Sequence, residues 1–238
     1  MQKSTLSTTG RGSHGFTLVE LLVVISIIAA LVALLLPVVN KARQQGQYAF
    51  CLANLHQLSM ATLFYADQWD DYIPHGNCDP SLPNYWDLLI PVLSLANPGG
   101  DYGGIDLFRC PSHPVKAAQV TYVISDWNFT GGVDDAYCWP AKISSLRERG
   151  ETVYIADSED GPWRKPGLDI NSPEDHRLDI FLPSHFPASD DEDILLTGRR
   201  VSPDRHHLGH NALFYDWHAE WVSGDLLIDE YLRMWRSR

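Results

Sequence analysis

The chain has 238 residues, with 30 acidic side chains against 18 Lys and Arg and a formal net charge of −12. That acidic balance argues against nucleic acid as a partner, because gripping phosphates takes a basic patch. Roughly 200 residues follow the first apolar stretch, enough for one compact domain with its own core.

The first 15 residues are a polar leader carrying Lys3, Arg11 and His14. Gly15-Phe16-Thr17-Leu18-Val19-Glu20 follows. From Leu21 to Val39 only Ser26 and Pro37 interrupt an apolar run. About 20 such residues cross a bilayer as a helix. A secretory signal has a shorter core of about 7–15 residues, and no A-x-A-like site ends this run. Glu20 at its mouth is a costly group in a membrane. Near a helix N-terminus the dipole favours negative charge and lowers that cost. Pro37 removes one backbone hydrogen bond and can kink the helix. Lys3 and Arg11 before the run are balanced by Lys41 and Arg43 after it, so charge counting leaves the orientation open.

The leader, the Gly-Phe junction, the glutamate four residues later and the apolar run together resemble the N-terminus of type IV prepilins and of type II secretion pseudopilins. The resemblance covers residues 11–45. It implies that a prepilin peptidase cuts between Gly15 and Phe16 and that Phe16 becomes the methylated N-terminus. It implies that Glu20 meets the α-amine of a neighbouring subunit during assembly. It also places the leader in the cytoplasm and the rest outside, on a single-pass protein of the bacterial inner membrane. The implied partners are the peptidase, other pilin or pseudopilin subunits and the membrane. The implied fold is α+β and pilin-like: a long N-terminal helix, its lower half transmembrane, packed on a small antiparallel β-sheet domain with long loops. The expected organisation is a leader over 1–15, a transmembrane helix over 16–39, its amphipathic continuation over 40–66, and an extracytoplasmic α+β domain over 67–238.

In the continuation, Tyr48, Leu52, Leu55, Leu58, Thr62 and Tyr65 recur at steps of three or four, one apolar stripe of a helix. Gln44, Gln47, Asn54 and Gln57 lie largely off it. Asn84 is placed to cap a short helix over 86–95, broken by Asn97-Pro98-Gly99-Gly100. Phe108-Arg109-Cys110-Pro111-Ser112 is a tethered turn. Residues 120–125 and 152–156 are strands, rich in β-branched and aromatic side chains. A short helix over 143–149 ends at Gly150. Residues 157–193 form a long irregular excursion, and Asp190-Asp191-Glu192-Asp193 within it is a solvated loop. Two strands over 211–216 and 218–222 and a helix over 225–235 complete the chain.

Four cysteines, Cys51, Cys78, Cys110 and Cys138, contain no C-x-x-C pair, which argues against a zinc ribbon. The side of the membrane implied by the resemblance is oxidising, and an even count there suggests two disulfides with three connectivities. Cys51–Cys110 with Cys78–Cys138 is the favoured one.

Chemistry is best sought near the end, in Arg205-His206-His207-x-x-His210 and Asp216-x-His218-x-Glu220. Three histidines with Asp216, His218 and Glu220 suggest zinc, and the last three alternate on one strand face. Against this stands a second resemblance, to prepilin-like proteins with a C-terminal His-x9-Asp-Gly signature, here His206 and Asp216. Cys51-Leu52-x-Asn54-Leu55, Phe108-x-Cys110-Pro111-Ser112 and Ala156-Asp157-Ser158 agree with it. In this reading His206 and Asp216 hydrogen-bond locally and fix the last hairpin. Trp217 stands where the glycine is expected, so a wider turn or one of another type is expected there. No P-loop, nucleophile elbow, H-E-x-x-H or paired-carboxylate motif is present. The expectation is a structural fibre subunit, not an enzyme, with no cofactor and no metal. The alternative is a membrane-tethered carbohydrate- or metal-binding module that uses the prepilin export route. Trp127, Trp139, Trp163 and Trp217 in loop-like stretches are its candidate binding surface.

Overall fold

The computed structural model describes residues 17–74, 83–93, 105–114, 120–125, 142–146, 149–158, 180–181, 201–202 and 204–224. The chain divides into two units, Met1–Arg43 and Gln44–Arg238. The expected final helix, the acidic cluster at 190–193 and Trp127, Trp139 and Trp163 lie outside the described residues.

Helix α1 runs over Leu18–Gln68 and continues through Pro37. In the first unit its apolar side chains are exposed throughout, Leu34 at 73% among them. Among the described residues it is the one helix long and apolar enough to cross a membrane. In the second unit the same helix buries one face: Cys51, Asn54, Leu55, Leu58, Ser59, Ala61, Thr62 and Ala66. The expected stripe is therefore present, with one correction. Asn54 lies on the buried face, because its amide has partners there. The helix ends on two aspartates with positive φ, Asp70 and Asp71. Aspartate is among the few side chains that tolerate this region. Lys142 Nζ lies 2.8 Å from the Asp70 carboxylate and the Ser144 amide donates to Asp71 at 2.9 Å, tying the helix end to the segment 142–146.

Helix α2, Tyr85–Val92, starts at Asn84 as expected; Asn84 and Asp87 form a capping box. The expected helix over 143–149 is instead two 3-10 turns, Ile143–Ser145 and Arg149–Glu151.

The strands are β1 (Tyr122–Ser125), β2 (Val153–Asp157), β3 (Ile180–Phe181), β4 (Gly209–Phe214) and β5 (Ala219–Ser223). They form one sheet in the order β3-β1-β2-β4-β5. Pairings β1–β2, β2–β4 and β4–β5 are antiparallel. The small antiparallel sheet is thus four strands, and β3 adds two residues parallel to β1. That strand falls inside the stretch expected to be irregular.

The three central strands are buried on both faces. Tyr122, Ile124, Ile155, Leu213 and Tyr215 join Cys51, Leu55 and Leu58 of α1 in one core. Val123, Val153, Ala156, Ala212, Phe214 and Val222 form a second core. Alternation along β1 and β4 explains the division. In β2 it is interrupted: Val153 pairs with Phe214 and Ile155 with Leu213, so Tyr154 is the extra residue of a bulge. Ile155 and Asp157 then share the face turned to α1.

Candidate functional site

At the N-terminus, Gly15 and Phe16 lie outside the described residues. Glu20 is exposed in the first turn of α1. Its carboxylate accepts from the Thr17 amide and from the Thr17 hydroxyl, both at 2.8 Å. The Glu20 amide donates back to Thr17 Oγ1 at 3.2 Å. This is a capping box that satisfies donors at the helix start. Its T-x-x-E signal is visible in the sequence as Thr17-Leu18-Val19-Glu20.

In the second unit, four chemically reactive side chains converge. Cys51 comes from α1, Cys110 from the turn before β1, Asp157 from the last position of β2, and His206 from the turn that leads into β4. Their donor atoms all lie within 4.8 Å of one another, and all four residues are buried. Cys51 Sγ is 3.2 Å from Asp157 Oδ1 and 3.2 Å from Tyr122 Oη. Cys110 Sγ is 3.3 Å from His206 Nε2. His206 Nε2 is 3.4 Å from Asp157 Oδ2.

Each side chain is held by backbone contacts next to it. The Asn54 side chain donates through Nδ2 to the carbonyls of Asp106 and Arg109, both at 3.0 Å, and so fixes the loop that presents Cys110. Thr121 Oγ1 accepts from the Cys110 amide at 2.6 Å. The Asn211 amide donates to Asp157 Oδ2 at 2.9 Å. His206 exchanges two backbone hydrogen bonds with Gly209 and accepts at its carbonyl from Trp221 Nε1 at 2.6 Å. The Tyr48 and His206 rings meet in a T-shaped arrangement at a centroid distance of 5.7 Å. Gly209 makes this turn possible. A Cβ there would lie 2.3 Å from the Val222 carbonyl oxygen.

The electrostatics follow from placing ionisable groups where water cannot reach. Burial pushes the Cys51 thiol well up. Cys110 goes the other way, to about 4, chiefly because it accepts a hydrogen bond from Cys51 and, against its own burial, is further stabilised by His206. Burial, reinforced by the Cys110 charge, raises Asp157 to about 7. Burial works against a charged His206, but its bond to Cys110 and the nearby Asp157 charge outweigh that and raise it. The set thus holds more potential negative charge than a buried site accommodates unaided.

The structure redistributes the residues singled out in the sequence. His206 and Asp216 do not pair, because they lie at opposite ends of β4. Asp216 instead accepts from the His218 amide at 3.1 Å and from the His218 ring. His218 Nε2 is 3.8 Å from Glu220, so these three do share a face, but an exposed one. His207 is exposed, against Gln45 at 3.2 Å, and His210 is buried with its pKa lowered to about 3 by burial. Only His206 of this group joins the four-residue cluster. Cys51 and Cys110, one pair of the favoured connectivity, are brought together and stand as free cysteines in the structure. Each sulfur is engaged by the carboxylate or the imidazole. Cys78 and Cys138 lie outside the described residues. Asp157 joins the cluster from the motif Ala156-Asp157-Ser158, whose sequence alone does not mark it as a site residue. Each of the four short motifs of the second resemblance contributes one member of the cluster.

Compared with known proteins, residues 10–36 match the family model described as the prokaryotic N-terminal methylation motif. No curated protein and no solved structure matches the chain. The motif, on a long apolar N-terminal helix, supports a type IV prepilin-like protein that is processed by prepilin peptidase, anchored in a membrane, and assembled with other pilin-type subunits.

Proposed function

We propose that this chain is a structural subunit of a type IV pilus-like or type II secretion fibre and that it is not an enzyme. The observation that carries the reading is the match over residues 10–36, set on a helix whose apolar side chains are exposed along its first unit. Such a surface has two uses, lipid before assembly and neighbouring helices afterwards. In this reading the peptidase cuts between Gly15 and Phe16, with the leader cytoplasmic and the second unit beyond the inner membrane. Mass spectrometry of chain extracted from host membranes is expected to show loss of residues 1–15 and one added methyl on Phe16. An intact Met1, or a cut beyond the apolar run, overturns the reading.

The membrane-tethered binding module is the second reading. Its metal-binding form draws support from the buried Cys51, Cys110, Asp157 and His206 cluster. Its carbohydrate-binding form loses one anchor, since Trp217 is half-buried and packs edge-on against Tyr154 at 5.9 Å.

A further inference from the structure

We propose that Cys51, Cys110, Asp157 and His206 form a closed four-coordinate site for one zinc ion that clips α1 to the sheet. The proposal departs from the expectation of no metal. It is independent of the fibre reading, because all four residues belong to the second unit.

Geometry is the first support. A tetrahedral zinc with ligand bonds of about 2.0–2.3 Å has ligand–ligand edges of roughly 3.3–3.8 Å. Cys110 Sγ lies 3.3 Å from His206 Nε2, the two Asp157 oxygens lie 3.2 Å from Cys51 Sγ and 3.4 Å from His206 Nε2, and one donor atom from each of the four residues falls within 4.8 Å of the others. The four donors are therefore close enough together for one ion to sit among them. Donor chemistry is the second support. Two sulfurs and an imidazole select a borderline-soft ion over calcium or magnesium, which prefer oxygen.

Charge is the third. With both sulfurs and the carboxylate ionised, the set carries three negative charges in a place that excludes water. A divalent ion reduces these to one. Whatever protons the thiols, the carboxyl and the imidazole hold at Sγ, Oδ and Nε2 leave to solvent as the ion enters, and His206 binds through its neutral Nε2. The outer contacts have the form that metal sites use to orient their ligands: the Asn211 amide on the carboxylate, and Asn54 and Thr121 on the Cys110 loop. All four corners are protein atoms, so no position is left for a substrate. The site is structural rather than catalytic.

A Cys51–Cys110 disulfide is the competing chemistry. It removes both thiolates and so excludes the ion. The test uses the full processed chain, extracted from host membranes in mild detergent without reductant or chelator. Elemental analysis is expected to find one zinc per chain. Alkylation after unfolding in chelator is expected to label Cys51 and Cys110 as thiols. Replacing zinc with Co²⁺ is expected to give the intense visible bands of tetrahedral cobalt and near-ultraviolet thiolate charge transfer. Cys110→Ser should weaken that charge-transfer band. His206→Gln should lower zinc affinity by more than the roughly 10–100-fold loss typical of an outer-shell partner. A metal-free chain with Cys51 bonded to Cys110 overturns the proposal, as does a cobalt spectrum without thiolate charge transfer. If either variant fails to fold, the spectrum of the wild-type chain still decides.

Discussion

Asn54 is a polar side chain at 3% exposure on the inner face of α1, held there by two loop carbonyls. Alanine at this position would leave both carbonyls without the amide and the helix face with a gap. Each such loss in a buried place costs on the order of 1 kcal/mol. We expect Asn54→Ala to lower stability by about 2 kcal/mol, read as a shift in the urea midpoint of the detergent-extracted chain. An unchanged midpoint would mean that the Cys110 loop holds itself in place. This role was not legible in the sequence, because pattern reasoning assigns an amide between apolar positions to the outer face. The partners that override that assignment lie more than 50 positions away. The same holds for Asp157. Its motif was visible, but only the fold brings it to Cys51.

Among the elements, the hairpin joining β4 to β5 shows most clearly how local chemistry and tertiary packing divide the work. Its turn keeps the left-handed residue that a glycine would supply, at Trp217 with φ 75. Trp217 donates its amide to the Phe214 carbonyl at 3.0 Å, and Phe214 donates to the His218 carbonyl at 2.9 Å. The wider turn expected from the missing glycine is therefore not formed. Packing of the indole against Tyr154 accompanies a backbone cost of roughly 1–2 kcal/mol. Two substitutions separate these terms. Trp217→Ala loses the ring and keeps the strain, whereas Trp217→Gly loses both. We expect the glycine variant to be the more stable of the two by about 1 kcal/mol, although glycine elsewhere in a chain usually ranks below alanine. Thermal unfolding of the pair provides the comparison, and the reverse order would show that the turn is not strained. Most long elements were legible, α1 and the four antiparallel strands within a few residues, because burial repeats along them. The two-residue β3 has no length in which to show a period.

For the whole molecule, the question is what Glu20 does once the chain leaves the lipid. The carboxylate has two separable uses, capping its own helix through Thr17 and, in the proposed reading, attracting the Phe16 amine of an incoming subunit. Glu20→Gln keeps a side chain able to complete the capping box but removes the charge. Glu20→Ala removes both. Loss of the charge partner for the incoming amine should sharply cut incorporation into fibres. Both variants are therefore expected to be processed and membrane-resident yet absent from sheared or crosslinked fibres. If the glutamine variant assembles like wild type and the alanine variant does not, capping alone explains Glu20. The N-terminal segment was legible because its signal is contiguous. The buried cluster was not, because its four members are spread from residue 51 to residue 206 and only the folded sheet adds them together.

The bulge at Tyr154 sets a rule for how β2 tolerates insertions and deletions. Val153 and Asp157 are an even number of steps apart, yet they lie on opposite sides of the sheet, because one residue between them is uncounted by the ladder. A deletion of Tyr154 would spend that extra residue and leave every remaining partner in register. An insertion between Ala156 and Asp157 would instead rotate the carboxylate toward the second core, among Val123, Ala212 and Val222. The ladder register therefore has one residue to spare on the N-terminal side of Ile155, whereas on the C-terminal side its parity is fixed by the thiol that Asp157 meets.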